Sequence, residues 1–416
     1  MAKKRSLTAK ILVSLVLGLI VGIIVYQLPS SSFKETVLIN GIFQLLGQIF
    51  LRAIMMVVIP LVFVSLVNGA ANMGDIKKLG RVGVKTIIFY LTTTALAVTL
   101  ALALGYFLKP GSGLDMGSIS SVEVSIAEKT PLIQVLYEMI PNNIIAAMAN
   151  GNMLQIIIFA LVTGVALSIL GDRAKTLLKI FDELNELVMK LVEIVMLFAP
   201  FGVFGLIAKT FSTAGYSAMI PLLKFILVVY LGLIIHMTVV YGLLLKGLGK
   251  LSVSKFFKKF SPAMFVAFST ASSSATIPFS LDICENKIGI SKDIASFTIP
   301  LGATVNMDGT AIMQGVATFF VAQVYGIDLS FSAMLTVILT ATLASIGTAG
   351  VPGAGTIMLS MVLQSVGLPL EGIGLIMGID RIVDMGRTAV NVTGDAVCTT
   401  IIAKQEKELN EEIFNS

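Results

Sequence analysis

The chain has no tryptophan, one histidine and two cysteines in 416 residues, and only 13% of its side chains are charged. Each scarcity removes a class of function. Cys284 and Cys398, both close to apolar segments, suggest neither a disulfide framework nor a cysteine metal site. His236 stands alone inside an apolar run, where a buried, neutral, hydrogen-bonded imidazole is the ordinary outcome, so a histidine-based catalytic site is not expected. Charge this sparse lies well below the usage of soluble domains. What is present instead is oil: 56% of residues are hydrophobic and the mean hydropathy is +0.95. Uncharged runs long enough to cross a hydrocarbon layer of about 30 Å recur along the whole length.

The net charge of +5 matters through its placement. Basic clusters lie at 3–10, 77–85, 173–179 and 246–259, whereas the segment 109–152 is acidic on balance. The positive-inside rule puts the basic clusters in the cytoplasm and 109–152 outside. Because those clusters fall between spans, a nucleic-acid surface is the weaker alternative. The first apolar run resembles a signal peptide but no A-x-A-like site follows it, so an uncleaved first span is expected.

Spans are predicted near 11–28, 38–70 (interrupted by Arg52 and Pro60), 86–108, 153–171, 189–208 and 218–245. The later sequence differs. Residues 260–281 are uncharged but divided by a Ser/Thr-rich centre, and 329–370 hold 42 uncharged residues broken by "SIGTAGVPGAG". Each reads as a helical hairpin dipping into the membrane, tolerable only where its irregular backbone is buried in protein or lines a cavity. Between them runs a span, 293–326, broken by "GATVNMDGT", and a last span follows. The expected fold is an all-α polytopic membrane protein of eight transmembrane helices plus two re-entrant hairpins, with both termini cytoplasmic. Interrupted segments entering from opposite faces point to a transport site near the midplane.

The last span is the most charged. "DRIVDMGRTAVNVTGD", 380–395, places Asp380, Arg381, Asp384, Arg387, Thr388, Asn391 and Asp395 within an arc of about 120° on a helix. Charges at mid-bilayer cost roughly 2.5–3.5 kcal/mol each on insertion scales, so this stripe faces a site or protein. One reading is an internal salt-bridge network. Against it, three acids face two arginines, and Asp395 has no base near it in sequence. In "GATVNMDGT", Asn306, Asp308 and Thr310 alternate, so a continuous helix would set Asp308 opposite the others. Gly302 and Gly309 allow unwinding, which would expose carbonyls to hard cations; a glycine-kinked packing contact is the alternative. The hydroxyls of Thr92, Thr93 and Thr94 could equally bond back to helix carbonyls.

Four motifs in series, "SSSAT" at 272–276, "NMDGT" at 306–310, "GTAGVPGAG" at 347–355 and "DMGRTAVNVTGD" at 384–395, closely resemble the dicarboxylate/amino acid:cation symporters, the glutamate transporter family. The resemblance extends over nearly the whole chain. It implies a homotrimer in the cell membrane and an elevator built on inverted repeats. The scaffold would be 1–80 and 111–212, and the moving domain 81–110 and 213–404, with a cytoplasmic tail at 405–416. The second hairpin would be the outer gate. It implies an acidic amino acid as substrate and sodium ions as cotransported partners, with no organic cofactor and no catalysis.

Carried onto this sequence, the resemblance gives Arg387 the substrate's side-chain carboxylate and Asp384 its ammonium. Asn391, Thr388, Ser272, Ser273 and Ser274 would hold the α-carboxylate, with Thr310, Val351 and Gly355 completing the pocket. One sodium site would use Gly302, Asn306, Asn391 and Asp395. A second would use Thr93, Thr94, Asn306 and Asp308 with Tyr90 nearby, and a third Thr304, Ser345, Ile346 and Thr348. Asp380 and Arg381 would support the substrate site. Two departures matter. Ala271 stands where some archaeal relatives carry arginine, a charge Arg381 could supply. Gln314 replaces the proton-bearing glutamate of vertebrate relatives, which argues against that proton route. A proton-coupled symporter of glutamate, aspartate or C4-dicarboxylates and a passive anion channel remain the alternatives. An intramembrane aspartyl protease using Asp380 and Asp384 is disfavoured, because the sequence contains no "GxGD" motif.

Overall fold

Long apolar runs punctuated by glycine and proline can satisfy their backbone in oil only as helices, and the chain folds that way. The computed structural model describes residues 7–72, 81–114, 137, 140–346 and 354–416. Among the described residues the one strand-like feature is an antiparallel bridge between Ile290 and Leu409. By length and composition, four helical stretches there can cross a membrane: Phe33–Ala71, Arg81–Leu108, Leu154–Leu197 and Ala199–Gly247.

Helix α1 (Leu7–Gln27) and helix α2 (Gln44–Asn72) are joined through π-helical turns at Phe33–Phe43. The expected interruption at Arg52 and Pro60 does not occur: α2 runs through both. Both side chains lie on its exposed side, so the packed face of the helix continues past them. Helix α3 (Arg81–Leu108) and helix α4 (Met153–Leu170) follow the expected spans. The span expected at 189–208 is instead shared by two helices, α5 (Lys175–Leu197) and α6 (Ala199–Ala214). Pro200 sits in the first turn of α6, where its absent N–H is harmless, and so starts a new helix inside the apolar run. Helix α1 lies along α6. A Cβ on Gly18 would stand 2.9 Å from the Phe204 carbonyl and one on Gly22 2.7 Å from Phe211 Cβ, so this small-residue face sets the approach.

Helix α7 (Met219–Ile235) presents Leu223, Leu227, Leu231 and Ile234 outward and buries Phe225, Val229 and Leu233. It continues through a π-helical turn, His236–Val240, into Tyr241–Gly247. The first hairpin is α8 (Val253–Thr270) and α9 (Ser273–Asp282). Ala271, at φ 49°, makes the reversal, and Ser272 caps α9 by accepting from the Ala275 amide at 3.3 Å. The broken span is α10 (Lys292–Val305) and α11 (Asp308–Val324). The second hairpin's arms are α12 (Phe331–Ser345) and α13 (Ala354–Ser365); its tip, including Thr348 and Val351, lies outside the described residues. The last helix is α14 (Asp380–Glu406).

Helices α11 and α14 pack on each other and are wrapped by α3, α8 and α10. Nearly every residue of α11, and of α14 from Val383 to Ala403, is buried. The most polar helix is therefore enclosed by protein on all sides, which is how its charges avoid lipid. At its far end Lys85 (2.7 Å) and Arg81 bind Glu406, holding that carboxyl below the usual carboxylate range. The final residues fold back on the base of the first hairpin. The Asn410 amide donates to Gly289, the Ser291 amide to Glu408, and Phe414 is 1% exposed. Phe414→Ala should loosen this clasp by about 3–5 kcal/mol, the usual cost of emptying a buried aromatic site. The readout is faster hydrogen exchange at the Ser291 and Asn410 amides; unchanged exchange would contradict the packing.

Candidate functional site

The site is built on the break between α10 and α11. Asn306 (φ −93°, ψ 94°) and Met307 (φ −116°, ψ 42°) leave helical geometry, and α11 restarts at Asp308. The unwinding distributes the alternating polar side chains as their spacing suggested. Asn306 turns to α14, donating to the Asn391 carbonyl at 3.1 Å and to Asp395 Oδ1 at 2.9 Å. Asp308 turns the other way, accepting from Thr94 at 2.6 Å. Thr310 lies 3.4 Å from Asn391 Nδ2. Asn391 also caps α11 from outside, its Oδ1 accepting from the Gly309 amide at 2.7 Å. A Cβ on Gly309 would stand 2.8 Å from Arg387 Cα, so only glycine lets α11 and α14 meet here.

Arg387 is 1% exposed. Its Nη2 donates to Asp384 at 2.6 Å, and Nη1 lies 3.2 Å from Asp380 without hydrogen-bond alignment. Nε and Nη1 make no hydrogen bond. A guanidinium buried with donors open is an anion-recognition group, because its planar fork matches a carboxylate. Thr310 and Gly355 border it: a Cβ on Gly355 would lie 2.9 Å from Arg387 Nη1 and 3.0 Å from Thr310 Cγ2. Arg381 reaches Asp384 at 3.7 Å and donates to the Thr270 carbonyl at 3.3 Å, bringing the first hairpin's tip to α14. The internal-network reading of the stripe is therefore realised for Asp380, Arg381, Asp384 and Arg387, two acids against two bases.

Asp308 and Asp395 are different. They are 0% and 2% exposed, and among the described residues neither pairs with lysine or arginine. Burial of an unbalanced carboxylate is opposed by several kcal/mol even after relaxation. Around Asp395 stand oxygens, not bases. Asn306 Oδ1 is buried without a partner. A Cβ on Gly302 would lie 2.6 Å from Asp395 Cγ and 2.7 Å from the Tyr90 hydroxyl, so glycine admits both groups. The Gly302 carbonyl accepts from the Asn306 amide at 2.8 Å and keeps a second lone pair. Carboxylate, carboxamide and carbonyl oxygens are the ligands hard cations take.

The other expected residues are spread more widely. Thr93 is buried beside Thr94 but bonds back to the Tyr90 carbonyl at 3.1 Å. Thr388 is buried one residue past Arg387; Ser273 is buried and Ser274 exposed at the first hairpin's tip. Thr304 is exposed and bonds back to Leu301. Ser345 and Ile346 close α12, buried, with Ser345 bonded to Thr342. Sequence reasoning did not connect two side chains to this cluster. Tyr241 donates to Asp308 Oδ2 at 2.7 Å, and His236 Nε2 lies 3.1 Å from the same oxygen. His236 is the buried, hydrogen-bonded ring its setting suggested; its partner lies 72 positions away, beyond any local signal.

The sodium:dicarboxylate symporter family profile matches residues 7–405. The chain is 38% identical to the proton/sodium-glutamate symport protein of Bacillus caldotenax, over 99% of this chain and 97% of that one. It is 37% identical to the proton/glutamate-aspartate symporter of Escherichia coli, over 98% and 95%. It is 33% identical to the C4-dicarboxylate transport protein of Bacillus subtilis, again over 98% and 95%. A profile match and full-length relatives on this scale are decisive: the chain belongs to the sodium:dicarboxylate symporter family, multi-pass secondary transporters of the membrane rather than enzymes.

Proposed function

We propose that the protein carries an acidic amino acid, L-glutamate or L-aspartate, inward together with sodium ions. The observation that carries this reading is how charge divides in the buried cluster. A guanidinium with open donors stands beside acids, while two further carboxyls have no lysine or arginine partner among the described residues. The first arrangement suits a substrate carboxylate on the open donors of Arg387, with an ammonium on Asp384 Oδ2, which Arg381 approaches only to 3.7 Å. The second suits cations at Asp308 and Asp395. The presence of Asp384 favours an amino acid over a plain dicarboxylate, which has no ammonium to offer it.

Charge arithmetic supports coupling. An acidic amino acid bears a net −1, and moving one charge against a 100 mV interior-negative potential costs about 2.3 kcal/mol. Two or more cations reverse the sign. They also neutralise the buried acids, so only a fully loaded site avoids crossing with unpaired charge. In this reading Thr304, Ser345, Ile346 and Thr348 contribute a further cation site as the second hairpin shuts over Ser272–Ser274, Val351 and Gly355. The hairpins, α3, α7 and α10–α14 move as an elevator against a trimeric scaffold of the remaining helices.

Two measurements test it. In liposomes, an inward sodium gradient should drive uphill aspartate or glutamate uptake; uptake that survives sodium removal and follows pH would transfer the coupling to protons. Arg387→Ala should weaken aspartate uptake by about 10–100-fold, the weight of a charged hydrogen-bonded contact, and abolish the preference for aspartate over serine. A retained preference would remove Arg387 from substrate selection. Succinate competing as well as aspartate would favour the C4-dicarboxylate reading.

A further inference from the structure

Asp308 receives three contacts from two helices. Thr94 on α3 donates to Oδ1 at 2.6 Å, and Oδ2 takes Tyr241 at 2.7 Å and His236 at 3.1 Å, both from the span that begins as α7. The three side chains are at most 2% exposed. His236 and Tyr241 are five residues apart, which in an α-helix separates their directions by about 140°. They reach one oxygen because the helix is π-wound between them: the Tyr241 amide bonds the His236 carbonyl, and the added residue turns both rings to one side. The rings then meet edge to face, with centroids 4.7 Å apart and planes at 74°. Tyr241 also borders the neighbouring cluster. A Cβ on Gly394 would lie 2.9 Å from its Cζ and 2.5 Å from Asn306 Nδ2.

A carboxylate has about four lone-pair directions. Three are occupied by Thr94, Tyr241 and His236, the last in the tautomer that carries its proton on Nε2, the ring nitrogen facing the carboxylate; Nδ1 has no partner. One direction remains, and the carboxylate cannot rotate to offer another. We infer that His236 and Tyr241, held together by the π-helical turn, are positioning residues for the coupling cation: they lock Asp308 so that its one free lone pair forms part of a preformed cation site. This deepens the proposed function and rests on it. Neither residue touches the cation in this account. They act as outer partners of a metal-ligating carboxylate act, where removal typically weakens metal binding by about 10–100-fold.

The test compares the full-length wild type with Tyr241→Phe, which removes one oxygen and keeps the ring, and with His236→Gln, which keeps an N–H donor. Two readouts apply: the rise in melting temperature with sodium chloride against choline chloride, and the sodium concentration for half-maximal aspartate uptake in liposomes. Tyr241→Phe should raise the sodium requirement about tenfold or more and flatten the melting response. Its aspartate KM at saturating sodium should stay within about twofold, and His236→Gln should shift the sodium requirement by less than about threefold. If Tyr241→Phe does not fold, His236→Gln set against His236→Leu makes the same comparison. An unchanged sodium requirement overturns the inference, as does a loss of aspartate affinity equal to the loss of sodium affinity, which marks a general structural defect. A wild type with neither sodium-dependent melting nor sodium-driven uptake overturns the proposed function first, and this inference with it.

Discussion

The functional cluster is arranged around two buried carboxyls, Asp308 and Asp395, that have no lysine or arginine partner among the described residues. Asp308 and Asp395 are enclosed where water cannot solvate them, and their protein partners are hydroxyls, a carboxamide and the His236 ring. Hydrogen bonds from threonine, tyrosine and asparagine lower the cost of ionisation but do not cancel the charge. Among the described residues no fixed positive charge, from lysine or arginine, balances either carboxyl.

The surrounding architecture can be read as what it takes to hold two such carboxyls. The helices bearing these acids, α11 and α14, are shielded from the exterior by α3, α8 and α10. Their approach depends on glycine at 309, and the break at Asn306–Met307 sends neighbouring side chains to different partners. Beside them the arginine cluster is self-balanced, two acids against two bases, yet leaves guanidinium donors open. Charge is compensated around Arg387, whereas Asp308 and Asp395 have no lysine or arginine partner among the described residues.

Much of this was legible beforehand. Hydropathy and the glycine-proline breaks anticipated an all-α chain, the reversal of the first hairpin at Ala271 and the unwinding near Asn306. The alternation of Asn306, Asp308 and Thr310 foretold that their side chains would part. The helix boundaries near Pro60 and Pro200 were misjudged for one reason: proline's effect depends on its place in a helix and on which side faces solvent, and neither is local information.

The amino-acid order alone determined which side chains must avoid lipid, because a stripe of charges on one helical face has no other stable environment. Tertiary structure alone decided which of those charges neutralise each other and which stay open. Arg387 finds Asp380 and Asp384 within its own helix, whereas Asp308 is held by Thr94, His236 and Tyr241 from helices 214, 72 and 67 positions away. Pairing across such distances is set by packing and by one π-helical turn, and hydrophobic periodicity carries no trace of either.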